Sequence, residues 1–432
     1  MQAVGIVIPL TLILFTCLII WRACDGFEIA SKYIGRNLSD GVRGGTINAI
    51  SSSLPELFTT LIALFVLQEE DGFAIGIGTT AGSALFNGMI IPAACILTVV
   101  GTVIASQRIV SVNVSTKVVL RDGLSLILCN LILVLLINGT KLHWWHGCIL
   151  MFLYIAYFTI MLATMSRTSG TSTPASSADP EDDEAAPRGL ISITLYWVSL
   201  GPLLDLESMF IQEKHRQQIT KETWNGWPLL LTSASIIAAA CWLLVEACRW
   251  LGSGEGNISC PNYELFGQTF RGLGMPTMFV AVIFASMATS VPDTVMSIRD
   301  ARSGDYDDAV ANALGSNIFD ICFALGFPLF LYTICYGPIT MDETVAQQSA
   351  ELRLILLLLT ILGFLVYYLG KRITTPSGVR CVTMGRTKAI TLLVIYVAFA
   401  TYIVCLGAQM TWATTISDGL KQLLTLISPT GA

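Results

Sequence analysis

Ten long apolar runs dictate what this chain can fold into. They fall at roughly 4–24, 43–66, 73–102, 118–137, 144–164, 227–250, 263–297, 306–336, 351–369 and 387–408. A helix needs about 20 apolar residues to cross a bilayer, and at that depth only helices and closed barrels satisfy their own backbone polar groups. Charged residues make up only 12% of the 432 positions, about half the share usual in a soluble domain. The fold class this predicts is an all-α membrane protein. The first run lacks a basic start and a small-x-small cleavage pattern before Cys24, so it reads as a helix and not a secretory leader. The 12 cysteines sit mostly inside apolar runs without CxxC spacing and read as packing residues.

Between the fifth and sixth runs lies "SRTSGTSTPASSADPEDDEAAPR". This acidic, Ser/Thr/Ala/Pro-rich piece cannot bury a core and reads as a linker. It divides the chain into residues 1–164, a linker and interfacial segment at 165–226, residues 227–408 and a tail at 409–432. The apolar "GLISITLYWVSLGPLLDLESMF" after it is broken by Gly201-Pro202 and is expected to lie at the interface, not to span. With the termini and alternate connections outside, 19 of the 24 Lys and Arg fall on the inner side together with the linker, a positive-inside distribution.

The two halves repeat each other. "SSSLPELFTTL" in the second run matches "ATSVPDTVMSI" in the seventh, and "GTTAGSALFN" in the third matches "ANALGSNIFD" in the eighth. The copies stand five spans apart, an odd number, so they cross in opposite directions. The expectation is two inverted five-helix repeats, with their motif segments near 43–100 and 274–330. Inverted repeats with interrupted helices are the pattern of secondary transporters, whose sites lie at the bilayer midplane.

The motif residues are costly at that depth. A charged side chain mid-bilayer costs roughly 2.5–3.5 kcal/mol on insertion scales and is functional by default, which singles out Glu56, Asp293 and Asp320. Pro55 and Pro292 each remove a helical donor, freeing the carbonyls of Ser51 and Ala288. Helical spacing sets Ser52 and Ser53 beside Glu56, and Thr289 and Ser290 beside Asp293. Thr79, Ser83 and Asn87 form one polar stripe, and Asn312, Ser316 and Asp320 the matching one. Such a pocket offers oxygen donors alone, and Ca2+ takes 6–8 oxygens at about 2.3–2.6 Å. One Ca2+ with one monovalent cation balances three carboxylates, as do several Na+. Competition of the two loads for one set of carboxylates is a physical basis for exchange. Singly, the hydroxyls could instead back-bond to their own helices, and Gly82 and Gly315 could serve helix packing alone.

At these residues the chain resembles the calcium/cation antiporter superfamily, specifically its sodium/calcium exchangers. "SSSLPELFTTLIALF" with "GIGTTAGSALFN" is similar to that family's first α-repeat, and "ATSVPDTVMSIRDARSGDYDDAVANALGSNIFDI" to its second. Glu in the first repeat with Asp in the second, and "GSNIFDI", resemble the potassium-dependent branch. The positions carried over are Ser52, Ser53, Glu56, Ser83, Asn87, Thr289, Ser290, Asp293, Ser316 and Asp320, the last linked in that branch to potassium co-transport. The chain departs from the pattern at Ser51, where the family commonly has Gly, and at Asn48, a usually apolar position.

The resemblance implies Na+-driven Ca2+ exchange by alternating access, with K+ co-transport left open. The alternatives are H+/Ca2+ antiport and, in a different class, a cation channel. Proton coupling is disfavoured because the Gly-Asn and acid-His pairs of that branch are missing from "SSSLPEL" and "ATSVPDT". Enzymatic activity is not expected, since no His is placed for a triad and no phosphate loop is present. No cofactor is expected beyond the transported ions Ca2+, Na+ and K+, no nucleic acid, and a monomer in the lipid bilayer is the expected working unit. The plasma membrane is the expected host, with an intracellular membrane as the alternative.

Overall fold

A computed structural model describes residues 2–34, 49–67, 69–104, 107–168, 205–211, 225–254, 260–375 and 378–427. Eight of its helices are long and apolar enough to cross a membrane: Ala3–Ile34, Asp71–Val99, Thr116–Leu136, Trp144–Ala163, Trp227–Gly252, Tyr306–Tyr336, Glu343–Tyr368 and Arg386–Gly407. The apolar pair Thr277–Thr289 and Val291–Ser303, bent by 44° at Ser290, passes the same test only when taken together, as a broken span or a re-entrant loop. The second apolar run is a short turn of helix, Ala49–Ser52, followed after Ser53 by Leu54–Leu67, whose 14 residues fall short of a full crossing. The early part of that run, Asn48 included, lies outside the described residues, as does most of the linker. Of the expected interfacial segment, Leu206–Phe210 is described and is helical.

Several boundaries differ from the sequence reading. The first helix continues to Ile34, and the ninth run begins eight residues early, at Glu343. The seventh run, read from 263, starts instead as an antiparallel hairpin pairing Tyr263–Leu265 with Gln268–Phe270. Gly267 takes φ +73° in its turn and Gly274 takes +67° in the approach to Pro276, so a helix cannot begin before Thr277. The fold is therefore helical with small sheets confined to its connections. Among the described residues no disulfide joins any of the 12 cysteines.

Those small sheets check the alternation of sides. Val112–Ser115, after the third run, pairs with Arg380–Met384, between the ninth and tenth. Ser115 N–H also donates to Asp307 Oδ1 at 2.6 Å, in the first turn of the eighth run just past its connection from the seventh. All three connections are inner ones in the charge-based topology. At the other end Lys141–Leu142 pairs with Ile339–Thr340, and Tyr263 Oη donates to Gly5 O at 2.8 Å, joining outer segments only.

The helices Asp71–Val99 and Tyr306–Tyr336 are the most buried of the long ones, the first motif's small residues permitting close approach. Around them the other helices show leucines, valines and phenylalanines such as Leu128, Phe152 and Val394 outward, as a surface facing acyl chains must. The helices Gln2–Ile34 and Trp227–Gly252 pack along each other at the flank of this centre and touch the two broken helices.

Candidate ion-binding site

The helix breaks fall at equivalent places in the two motifs. Ser53 interrupts the helix before Leu54-Pro55-Glu56, and Ser290 before Val291-Pro292-Asp293. In both, the acid then lies in the first turn of the following helix. Proline at the second helical position tolerates its missing N–H there, and the helix N-terminus favours a negative side chain.

The second motif's broken helix approaches the central helix Asp71–Val99 closely at Gly82. Gly82 faces Val282, and a Cβ there would meet Val282 O at 2.2 Å and Ser286 Cβ at 2.7 Å. This contact sets Ser83 against Ser290, their hydroxyls 2.9 Å apart. Gly82→Ala is expected to destabilise the protein by about 1–3 kcal/mol through overpacking, visible as a lowered unfolding temperature. Gly315, its counterpart, meets only Tyr157 Oη at 3.7 Å, so Gly315→Ala should be neutral or mildly stabilising. Close packing therefore explains Gly82 and not Gly315.

Around that approach the predicted residues come together. Ser83 Oγ lies 3.1 Å from Glu56 Oε1 and 3.0 Å from Asp320 Oδ2. Asn87 Nδ2 donates to Asp293 Oδ2 at 2.8 Å, and reaches Ser316 Oγ and Ser83 Oγ at 3.3 Å each. Links of 3.1, 3.3 and 2.8 Å thus join Glu56 to Asp293 through Ser83 and Asn87. Contacts cross between the motifs: Ser52 faces the Asp293 carboxylate, while its equivalent Thr289 faces that of Glu56. Ser52, Ser53, Glu56, Ser83, Asn87, Thr289, Ser290, Asp293, Ser316 and Asp320 have no exposed surface; Ser51 and Ala288 are buried beside them.

Two members of the predicted stripes behave differently. Asn312 turns away and donates to Ser297 Oγ at 3.1 Å. Thr79 is fully buried, but its hydroxyl meets no partner. Sequence reasoning also missed charged groups near the ends of the runs. Asp122 is buried and held by Arg121 through bonds of 2.6 and 2.9 Å and by Tyr157 Oη at 3.1 Å. Glu351 is capped by Tyr402 Oη and by Ser417 Oγ at 2.6 Å. Both carboxylates find their partners within the protein, which sets them apart from the motif acids.

The donors at the motif cluster do not suffice. Glu56 Oε2, Asp293 Oδ1, Asp320 Oδ1, Asn87 Oδ1 and Ser53 Oγ are all buried without a hydrogen-bond partner. Ser83 has one proton to give, yet faces two carboxylates and a second hydroxyl. Among the described residues no Lys, Arg or His pairs with Glu56, Asp293 or Asp320. An unpaired buried charge is among the costliest features a fold can hold, so positive charge must come from outside the chain. The oxygens are spread along the Ser83–Asn87 axis: among the described residues no three Asp, Glu, His or Cys side chains close on one point. That spacing suits several oxygen-ligated cations held in adjoining positions. The π-helical turn that begins at Asp320, Asp320–Ala324, was not legible in composition; such turns concentrate at functional sites.

A helical bundle with broken helices meeting at buried, under-neutralised oxygens defines an ion-handling membrane protein. The chain belongs to the sodium/calcium exchanger family, whose model, described as "Sodium/calcium exchanger protein", matches residues 8–163 and 225–405. The gap between the two matched stretches coincides with the acidic linker. The chain is 34% identical over 484 residues to sodium/potassium/calcium exchanger 3 of Rattus norvegicus, covering 79% of this chain and 76% of the relative. It is 24% identical over 441 residues to sodium/potassium/calcium exchanger 5 of Homo sapiens, covering 87% and 81%. Among solved structures, that of the H+/Ca2+ exchanger CAX aligns with a TM-score of 0.57 at 12% identity, over 97% of this chain and 92% of that one, a likeness of fold alone.

Proposed function

We propose that this protein is a secondary antiporter that exchanges Na+ for Ca2+ and carries K+ with Ca2+. The observation that carries the reading is the set of five buried oxygens without donors, four of them on Glu56, Asp293, Asp320 and Asn87. Ca2+ is coordinated between Glu56 and Asp293, with the hydroxyls of Ser52, Ser53, Thr289 and Ser290 and the carbonyls of Ser51 and Ala288 as further ligands. Asp320, Ser83, Asn87 and Ser316 serve the monovalent ions. The chain forms ten spans in two inverted five-helix repeats, 1–164 and 227–408, joined by the inner linker, and works as a monomer in the plasma membrane.

Access alternates as the pair Gln2–Ile34 and Trp227–Gly252 moves across the central helices. The ion-loaded cluster can cross because its charge is balanced. An emptied cluster would leave carboxylates unpaired, which couples the departure of one load to the arrival of the other.

Flux in sealed vesicles tests this directly. Uptake of 45Ca2+ should follow an outward Na+ gradient, rise when K+ is added on the Ca2+ side, and ignore an imposed pH gradient. Uptake driven by pH alone would favour H+/Ca2+ antiport, and uncoupled current a channel.

A further inference from the structure

We propose that a second cavity, at the outer end of the bundle, binds the phosphodiester headgroup of a membrane phospholipid. Its volume is about 220 Å3, and it is bordered by the C-terminal end of Thr116–Leu136, the first half of Glu343–Tyr368 and the helix Thr411–Ile427. This cavity shares no residue with the ion cluster.

Arg353 carries the inference. Its side chain is 2% exposed and lines the cavity. Nη1 donates to Ser349 Oγ at 2.5 Å, Nε has no partner, and among the described residues no carboxylate pairs with it. A guanidinium stays charged and offers five donors in a planar fork suited to phosphate oxygens. Left bare at membrane depth it would be prohibitive, so an anion belongs against it.

The other linings say what kind of anion. Lys421 adds a second cation, 3.9 Å from Asp418 and half open to solvent. Glu343 stands at the same cavity and is exposed. With Lys421 already facing Asp418, the uncompensated charge is the single positive one of Arg353, which fits a singly charged phosphodiester, with Glu343 placed to meet a headgroup ammonium. Val134, Ile137 and Leu424 form apolar walls, unsuited to a fully hydrated free phosphate.

An acyl path leads away from the cavity. Leu124, Leu128, Leu131 and Leu135 are exposed in one stripe on the bordering helix Thr116–Leu136, spaced at the three- and four-residue intervals of a single helix face. The helix Thr411–Ile427 buries Ala413 and Ser417 against the bundle and turns Trp412, Ile416 and Leu423 outward, as a helix lying at a membrane interface does.

The test uses the full chain in detergent, stripped of lipid, titrated with dihexanoyl-phosphatidylcholine below its micellar concentration and separately with inorganic phosphate. Native mass spectrometry and the unfolding temperature are the readouts. Wild type should retain one phosphatidylcholine per chain and be stabilised by it. Arg353→Met should weaken retention at least about tenfold while keeping Na+-driven Ca2+ uptake, because Arg353 lies apart from the ion cluster; a volume-matched apolar residue commonly replaces a buried charge without loss of folding. Lys421→Gln, at a half-exposed position at the bundle's rim, should weaken retention several-fold and serves alone if the first variant misfolds. Equal retention in wild type and both variants, or no saturable binding in wild type, would overturn the proposal. Inorganic phosphate stabilising the protein as well as the lipid does would overturn the lipid in favour of a free anion.

Discussion

Glu56→Gln and Asp293→Asn are each expected to lower Na+-gradient-driven 45Ca2+ uptake at least about 100-fold, close to the loss of about 2.8 kcal/mol of Ca2+ binding. Each substitution keeps the side chain's volume and one oxygen, so the packing around Ser83 and Asn87 is preserved. It removes one of the two formal charges assigned to Ca2+, a hard cation that relies on carboxylate ligands. The accompanying stability change separates this from misfolding. Three buried carboxylates repel one another in a medium of low dielectric, so removing one should leave the ion-free protein as stable as before or more so. What should vanish is the rise in unfolding temperature that millimolar Ca2+ gives wild type, since a ligand at 1,000 times its Kd stabilises by about 4 kcal/mol. Near-normal uptake in both variants would place the transported Ca2+ somewhere else.

The site was legible because oxygen-rich side chains are expensive inside a membrane, so a sequence carries them there only where something uses them. That logic identified Glu56, Asp293 and Asp320, and the duplicated prolines located both helix breaks to within two residues. It failed where position along the bilayer was ambiguous. Asp122 and Glu351 stand near the ends of apolar runs and were not singled out, whereas the structure buries them against Arg121, Tyr157, Tyr402 and Ser417. Arg353 escaped notice for the same reason. Asn312 was assigned to a stripe of period four, but a helix turns 3.6 residues per turn. Eight residues from Asp320 it is rotated by about 80°, enough to aim it at Ser297. The hairpin at Tyr263–Phe270 read as span because Tyr263, Leu265, Phe266 and Phe270 join it to the apolar run that follows, although Glu264, Gln268 and Thr269 lie among them. The π-helical turns depend on which carbonyl each N–H selects, a choice that composition does not record.

Asp320→Asn is expected to abolish the dependence of Ca2+ uptake on K+ while sparing Na+/Ca2+ exchange itself. The asymmetry of the cluster carries the argument. Asn87 and Asp320 occupy equivalent places in the two repeats, and each meets the serine of the other motif: Asn87 reaches Ser316 at 3.3 Å, and Ser83 reaches Asp320 at 3.0 Å. Asn87 also donates to the acid of the opposite repeat, Asp293, at 2.8 Å. The mirror-image contact sets Asp320 near Glu56, both held to the one Ser83 hydroxyl, and there two carboxylates meet where a donor stands on the other side. One monovalent cation beyond Ca2+ resolves that conflict. An amide at 320 supplies the missing donor from within the chain, lowers the cluster's formal charge from −3 to −2, and leaves Ca2+ alone to balance it. Uptake by the variant should therefore be flat from zero to 100 mM K+, where wild type rises, with its Na+ dependence retained. The double exchange Asn87→Asp with Asp320→Asn restores the formal −3 and should restore a K+ requirement; if it does not, net charge is not what calls K+ into the site.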